Sequence, residues 1–176
     1  MAKIYFDLDD VSADFSGYVN RALGTNYHVG ETLRLADWEE LRRSHGRLFR
    51  DLDIIEGTWN VIQLLESSQK LHEIAFLTAL PFDGQHPWQY APQDKIEWVQ
   101  KNFPDTPCFL GPYAHNKYFH CKPGDILVDD KLSNCEEWES AGGVAHLFKT
   151  PEVLLDFLND NLGENMGESL NFILER

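Results

Sequence analysis

Three aspartates fall within four residues near the start of the chain, in "IYFDLDDVSADF" (Ile4 to Phe15), and a fourth stands close behind. Asp7 and Asp9 form Asp-x-Asp at the end of the strand-like run Lys3 to Leu8. Thr78 comes after a second apolar run, "IAFL", and Lys95 opens a helical stretch beyond the next loop. A further acidic pair, Asp129 and Asp130, follows "DILV". A shared crevice would hold four carboxylates, a hydroxyl and an ammonium group. Four carboxylates cannot all ionise side by side without a cation, since each raises the pKa of its neighbours. A hard divalent ion resolves the conflict, and Mg²⁺ binds through a few carboxylates, waters and a substrate phosphate.

Taken singly, each of these residues has an ordinary explanation. Asp-rich turns after strands commonly cap helices, and that role suits Asp10 and Asp14. Thr78 alone reads as a strand-end hydroxyl bonded to backbone, Lys95 alone as a surface lysine, and Asp129–Asp130 alone as a cap for the next helix. The ordered combination is what four separate ordinary causes do not produce.

The elements that must position these groups alternate in type. Strand-like runs at Lys3 to Leu8, Glu73 to Leu77, Pro107 to Leu110, Asp125 to Val128 and Val144 to Phe148 are separated by helical patterns. The helices are read at Val11 to Leu23 (with Gly24 as its C-terminal cap), Gly57 to Leu65, Asp94 to Phe103, Leu132 to Ser140 and Pro151 to Leu158. Such alternation predicts an α/β fold, a doubly wound, mainly parallel sheet of Rossmann-like type covered on both faces. Ligands of such sheets bind beyond the carboxyl ends of the strands, where the polar clusters fall. The highly charged, helix-spaced stretch 30–56 interrupts the pattern and reads as a small helical cap. The expected organisation is therefore a Rossmann-like core of 1–29 and 57–162, the cap 30–56, and a C-terminal extension 163–176.

Composition narrows the function. With 176 residues the chain can bury a sizeable core in one domain. Fifteen Lys and Arg against 29 Asp and Glu give a net charge of −14, which disfavours duplex nucleic acid as a partner but not a single nucleotide. No apolar run is long enough for a membrane span, and the start of the chain lacks signal-peptide architecture. Three cysteines without CxxC spacing fit a reducing, cytoplasmic setting. His115, His120 and Cys121 offer no tetrahedral ligand set for zinc.

The motifs resemble those of the haloacid dehalogenase-like phosphohydrolases, and within them the 5′(3′)-deoxyribonucleotidases. The family's Asp-x-Asp-Gly-Val-x-Ala-Asp-Phe is matched by "DLDDVSADF" (Asp7 to Phe15), its Lys-x-x-Trp-Val-x-Lys-x-Phe helix by "KIEWVQKNF" (Lys95 to Phe103), and its last motif by "GDILVDDK" (Gly124 to Lys131). The resemblance spans Lys3 to Phe148 and implies a Mg²⁺-dependent phosphomonoesterase acting on (deoxy)nucleoside monophosphates. It implies Asp7 as nucleophile and Asp9 as general acid and base. It implies Mg²⁺ held by Asp7, the backbone of Asp9 and Asp130, with Asp129 assisting directly or through water. Thr78 and Lys95 would bind the phosphoryl group, with Lys117 ranked behind Lys95. Two positions depart from the family: Asp10 stands where Gly is usual, adding charge beside the substrate, and Ser12 replaces a larger apolar residue.

Specificity is less legible. Phe15 and Trp38 are the candidates for a nucleobase slot; Tyr18 reads more as core, and Trp88 and Tyr90 sit in the loop after Thr78. A phosphatase for another small metabolite, such as a sugar phosphate, needs only a different cap. A signalling receiver domain places its adjacent acidic pair first and its phosphorylated aspartate after a middle strand, the reverse of the order here. A non-catalytic phosphate binder has only Asp10 in its favour. The expected partner is a small phosphorylated substrate, with no membrane or duplex nucleic acid, and a homodimer is compatible with the sequence.

Overall fold

The computed structural model describes residues 2–67, 72–81, 88–111 and 114–162. Five strands form one sheet: β1 (Lys3–Phe6), β2 (Glu73–Ala79), β3 (Cys108–Gly111), β4 (Ile126–Asp129) and β5 (Val144–Leu147). All neighbours are parallel, in the order β3-β2-β1-β4-β5. Six α-helices accompany them: α1 (Phe15–Leu23), α2 (Leu35–Ser44), α3 (Glu56–Ser67), α4 (Ala91–Asn102), α5 (Leu132–Ser140) and α6 (Pro151–Leu162). The architecture is the doubly wound α/β arrangement. None of the described helices is long and apolar enough to cross a membrane.

The strands read as nearly continuous apolar runs because both faces of the sheet are covered. Ile4, Phe6, Phe76 and Val128 share one core with Val19, Val61, Ile62, Trp98, Leu154 and Leu158 from the helices. Tyr5, Ala75, Leu77 and Leu127 point the other way and pack against Trp138 of α5. The chain winds outward from β1 through β2 to β3, then returns to β4 on the opposite side. The order of the strands therefore reverses between β1 and β4, and a crevice opens above their carboxyl ends.

Several boundaries differ from the periodicity. Val11 and Ala13 extend the apolar spacing of α1, but the helix begins only at Phe15. The Leu8 carbonyl instead accepts the N–H groups of Ser12 and Ala13, at 2.9 and 2.8 Å, closing a tight turn after β1. Asp14 then caps α1 by accepting the Gly17 N–H at 3.0 Å, and Gly24 ends the helix in the left-handed conformation, φ 66°. Helix α4 starts three residues before Asp94, because Pro92 is tolerated in a first turn, where its missing N–H costs nothing. Lys95 therefore lies in the second turn instead of opening the helix, and Thr78 lies inside β2. The remaining helices run slightly longer than their patterns, except α5, whose limits coincide. Of the expected C-terminal extension, 163–176 lies outside the described residues.

The 30–56 segment contributes α2 and a short 3-10 turn, Leu48–Arg50. Its buried side chains Leu33, Leu41, Leu48, Phe49 and Leu52 join the main core and have no separate one. The segment returns to the sheet beside the motif turn: Asp14 N–H donates to Asp53 O and Ile55 N–H to Ser12 O, both at 2.9 Å.

Candidate active site

Three carboxylates from two adjacent strand ends converge. Asp7, whose N–H donates to Val128 O at 2.9 Å, continues the β1–β4 pairing by one step. Asp7, Asp129 and Asp130 each bring an oxygen within 4.8 Å of the others, and all three are buried. Among the described residues this is the one cluster of metal-ligating type. Asp7 and Asp130 line a cavity of about 180 Å³ together with Asp9, Asp10, Phe15, Trp38 and Lys117, and with Glu31 to Leu33 from the 30–56 segment, while Asp129 lies buried beside it.

Two buried lysines divide the carboxylates between them. Lys117 Nζ lies 2.8 Å from Asp7 Oδ1 and 2.6 Å from Asp129 Oδ2. Burial alone would push its ammonium down, but Asp129 and Asp7 hold it above its ordinary value. Lys95 Nζ donates to Asp9 Oδ2 at 2.6 Å and to Thr78 Oγ1 at 2.9 Å. Sequence reasoning placed Lys95 first, yet Lys117 is the lysine in contact with Asp7. Lys117 sits in the 3-10 segment Ala114–His120, which carries no amphipathic period to advertise it. The one signal for it in the sequence is that it lies near a position where the resembled family often has a basic residue.

The carboxylates are not equivalent. Asp129 is fully committed: Asn134 Nδ2 donates to both its oxygens, at 2.9 and 3.0 Å, and Lys131 N–H to Oδ1 at 2.9 Å. Among the described residues the Asp130 carboxylate pairs with the Lys131 ammonium, at 3.7 Å. Burial, followed by the charges of Asp7 and Asp129, pushes the Asp130 carboxyl up to about 8. Burial also raises Asp9 against the pull of Lys95. Asp9 Oδ1 is buried and makes no hydrogen bond among the described residues.

Asp10 resolves the anomaly that its charge presents. It takes the left-handed conformation, φ 60°, that glycine would take without strain. Its carboxylate turns toward the start of α1, where it accepts the Ser16 N–H at 2.6 Å and the Ser16 hydroxyl. Negative charge is favourable at that helix end, and burial leaves the carboxyl pushed up to about 6. Ser12 donates its hydroxyl to Asp7 O at 3.0 Å, bracing the same turn.

The two candidates for a nucleobase slot reach the cavity, and the other aromatic residues weighed do not line it. Phe15 and Trp38 line it, with ring centroids 5.5 Å apart. Tyr18 instead meets His45 through its hydroxyl at 3.2 Å. Trp88 is buried behind Trp38 and Phe49, and Tyr90 lies under the Arg47 guanidinium. His120 packs on Tyr5 and Phe109. Neither spacing nor charge marks Gly30, at φ 83°, where an added Cβ would stand 2.8 Å from the Asp130 carbonyl. Only glycine lets the 30–56 segment approach the acidic pair so closely.

An Asp-x-Asp after the first strand, a hydroxyl on the second, buried lysines and a late acidic pair on a parallel sheet define the haloacid dehalogenase-like class. Within that class, residues 1–154 match the family model described as 5′ nucleotidase, deoxy (pyrimidine), cytosolic type C, and the chain belongs to this family. It is also similar to proteins named 5′(3′)-deoxyribonucleotidase from Bacillus subtilis (strain 168) and from Bacillus phage SPbeta. Each is 30% identical over 104 residues, which are 59% of this chain and 53% of the relative. The chain thus spans about half the length of the curated relatives it matches.

Proposed function

We propose that the protein is a Mg²⁺-dependent phosphomonoesterase acting on (deoxy)nucleoside monophosphates through an aspartyl-phosphate at Asp7. The observation that carries this reading is the meeting of Asp7, Asp130 and Lys117 at the switch point of the sheet. Family membership supports the substrate class. The donor set fits the metal: all-oxygen ligands, one carboxyl raised by burial and then by its like-charged neighbours, and no soft ligand among them. Asp7, Asp130 and the backbone carbonyl of Asp9 would hold Mg²⁺, with Asp129 acting through Lys117. When bound, the ion neutralises phosphoryl oxygens and the carboxylates around them.

The chain's own groups then divide the work. Asp7, steadied by the Lys117 ammonium, attacks phosphorus in line with the leaving alcohol. Asp9 gives that alcohol its proton and afterwards takes one from the water that cleaves the acyl phosphate. Its unpaired Oδ1 is the atom available for the transfer. Because Lys95 occupies a lone pair of Thr78 Oγ1, the Thr78 O–H is left to donate to a phosphoryl oxygen. Phe15 and Trp38 supply an apolar wall for the base, and we assign residues 30–56 as the cap that carries Trp38 over a core of 1–29 and 57–162. The free thiols of Cys108, Cys121 and Cys135 accord with a reducing, cytoplasmic setting. Acid quenching during turnover of labelled nucleoside monophosphate tests the chemistry: hydroxylamine-labile label is expected on Asp7. Turnover with label on any other side chain would contradict it.

Proton linkage gives a second test. The Asp130 carboxyl is raised in the folded protein from its ordinary value to about 8, and burial raises Asp129 as well. Between roughly pH 4 and 8 the folded state then holds protons that the unfolded state releases, so stability without metal falls as pH rises. Mg²⁺ competes with those protons. Calorimetry should therefore show Mg²⁺ raising Tm more at pH 8 than at pH 5.5. Equal shifts at the two pH values would count against a carboxylate metal site.

A further inference from the structure

Arg47 and Asp94 stand 47 residues apart and form a half-buried ion pair outside the cavity. Arg47 Nε lies 2.8 and 3.1 Å from the two Asp94 oxygens, and Nη2 lies 2.6 Å from Oδ1. Asp94 is wholly buried, while the Arg47 side chain is 34% exposed. The guanidinium also covers the Tyr90 ring, at 4.6 Å, and reaches Glu97 at 3.8 Å. Two residues on, the Phe49 ring lies 4.6 Å from Lys95 Nζ, and Leu52 O accepts the Trp98 indole N–H at 2.8 Å. Residues 47, 49 and 52 of the cap segment thus meet residues 94, 95 and 98 on one face of α4.

We propose that Arg47 and Asp94 are positioning residues for the reaction. They fix the rotation of α4, and through it the contact of Lys95 with Asp9 and Thr78. This rests on the reading above, in which Asp9 moves the proton and Thr78 binds phosphoryl oxygen. The physical argument has two parts. A two-pronged Arg–carboxylate pair is directional, unlike apolar packing. Asp94 buried without Arg47 would be an uncompensated charge, so the seated segment always carries the pair. Lys95 is the next residue along the helix, and its fully buried side chain can reach Asp9 Oδ2 at 2.6 Å only from a narrow range of α4 rotations. A displacement on the order of 1 Å at a reacting group can cost about 10²-fold in rate. The cap segment, which also carries Trp38 to the cavity, is thereby joined mechanically to the proton-transferring carboxylate.

The test uses the full chain and three variants. Arg47→Gln should lower kcat about 10-fold or more, leave KM for a deoxynucleoside monophosphate within about 3-fold, and lower Tm. Arg47→Lys should restore part of kcat. The double variant Arg47→Met with Asp94→Leu removes both charges at similar volume, so it should regain Tm while keeping the loss in kcat. A crystal structure of Arg47→Gln, or of the double variant if the single one does not fold, should show Lys95 Nζ withdrawn from Asp9 Oδ2. If kcat returns with Tm in the double variant, or if the Lys95–Asp9 contact persists in the variant crystal, the pair is a structural brace and the proposal fails. Should the wild-type chain hydrolyse no nucleoside monophosphate, the proposed function fails instead, and the crystallographic distance still decides the positioning claim.

Discussion

Asp7→Asn should abolish phosphate release, by roughly 10³-fold or more, with the fold intact. The amide matches the carboxylate in size and stays within reach of Lys117, so the turn after β1 keeps its geometry. What it loses is nucleophilicity: an amide oxygen does not attack phosphorus to leave a stable acyl phosphate. It also removes one negative charge from a cluster in which Asp7 raises both Asp130 and Asp129. Metal-free Asp7→Asn should therefore melt no lower than the wild type, which separates loss of chemistry from loss of structure. Steady-state kinetics and calorimetry on one preparation read both quantities. Activity within 10-fold of wild type would remove Asp7 from the mechanism.

Lys117→Met should be costly in both respects. The ammonium is 1% exposed and lies 2.8 Å from Asp7 and 2.6 Å from Asp129. Methionine fills the volume and leaves two buried carboxylates facing each other without a cation. Breaking a buried pair in this way costs about 3–5 kcal/mol, and each kcal/mol lowers Tm by roughly 2–4 °C for a chain of this size. Removal of the cation beside the transferring group should reduce kcat/KM by about 10²–10³-fold. Those losses should appear with every substrate tested, since the lysine faces Asp7 and not the base slot. A variant that melts lower yet turns over at the wild-type rate would assign Lys117 to stability alone.

The strand ends and the residues immediately past them were legible in the sequence, because a parallel sheet gathers its carboxyl ends into one crevice. That rule brings Asp7, Thr78 and the Asp129–Asp130 pair together without any knowledge of side-chain contacts. The helix limits were less so where apolar spacing runs into a turn: Val11 and Ala13 fit the helical period, but the Leu8 carbonyl claims the local N–H groups first. Asp10 was opaque for a related reason. Its charge suggests repulsion of substrate, and only the positive φ shows the carboxylate directed toward Ser16. The two lysines differ in legibility because Lys95 lies on a helix and Lys117 on a 3-10 segment without a pattern. Arg47 and Asp94 leave no trace in periodicity, since a pair formed across 47 residues is a property of packing.

The aromatic lining of the cavity depends on how the 30–56 segment meets the rest of the fold. Phe15 is carried by α1 and Trp38 by α2, their rings meet at 5.5 Å, and Gly30 lets the 30–56 segment pass close to Asp130. Trp88 supports Trp38 from behind, at a ring distance of 5.7 Å. An aromatic stripe in a sequence cannot distinguish the ring that lines a cavity from the ring that braces it.

The most direct test is phosphate release with Mg²⁺ across deoxy- and ribonucleoside monophosphates and a set of sugar phosphates. Hydrolysis of nucleoside monophosphates, abolished by EDTA and at least about 10-fold preferred in kcat/KM over sugar phosphates, is the predicted result. Turnover that survives removal of the metal, or that is confined to sugar phosphates, would contradict the account.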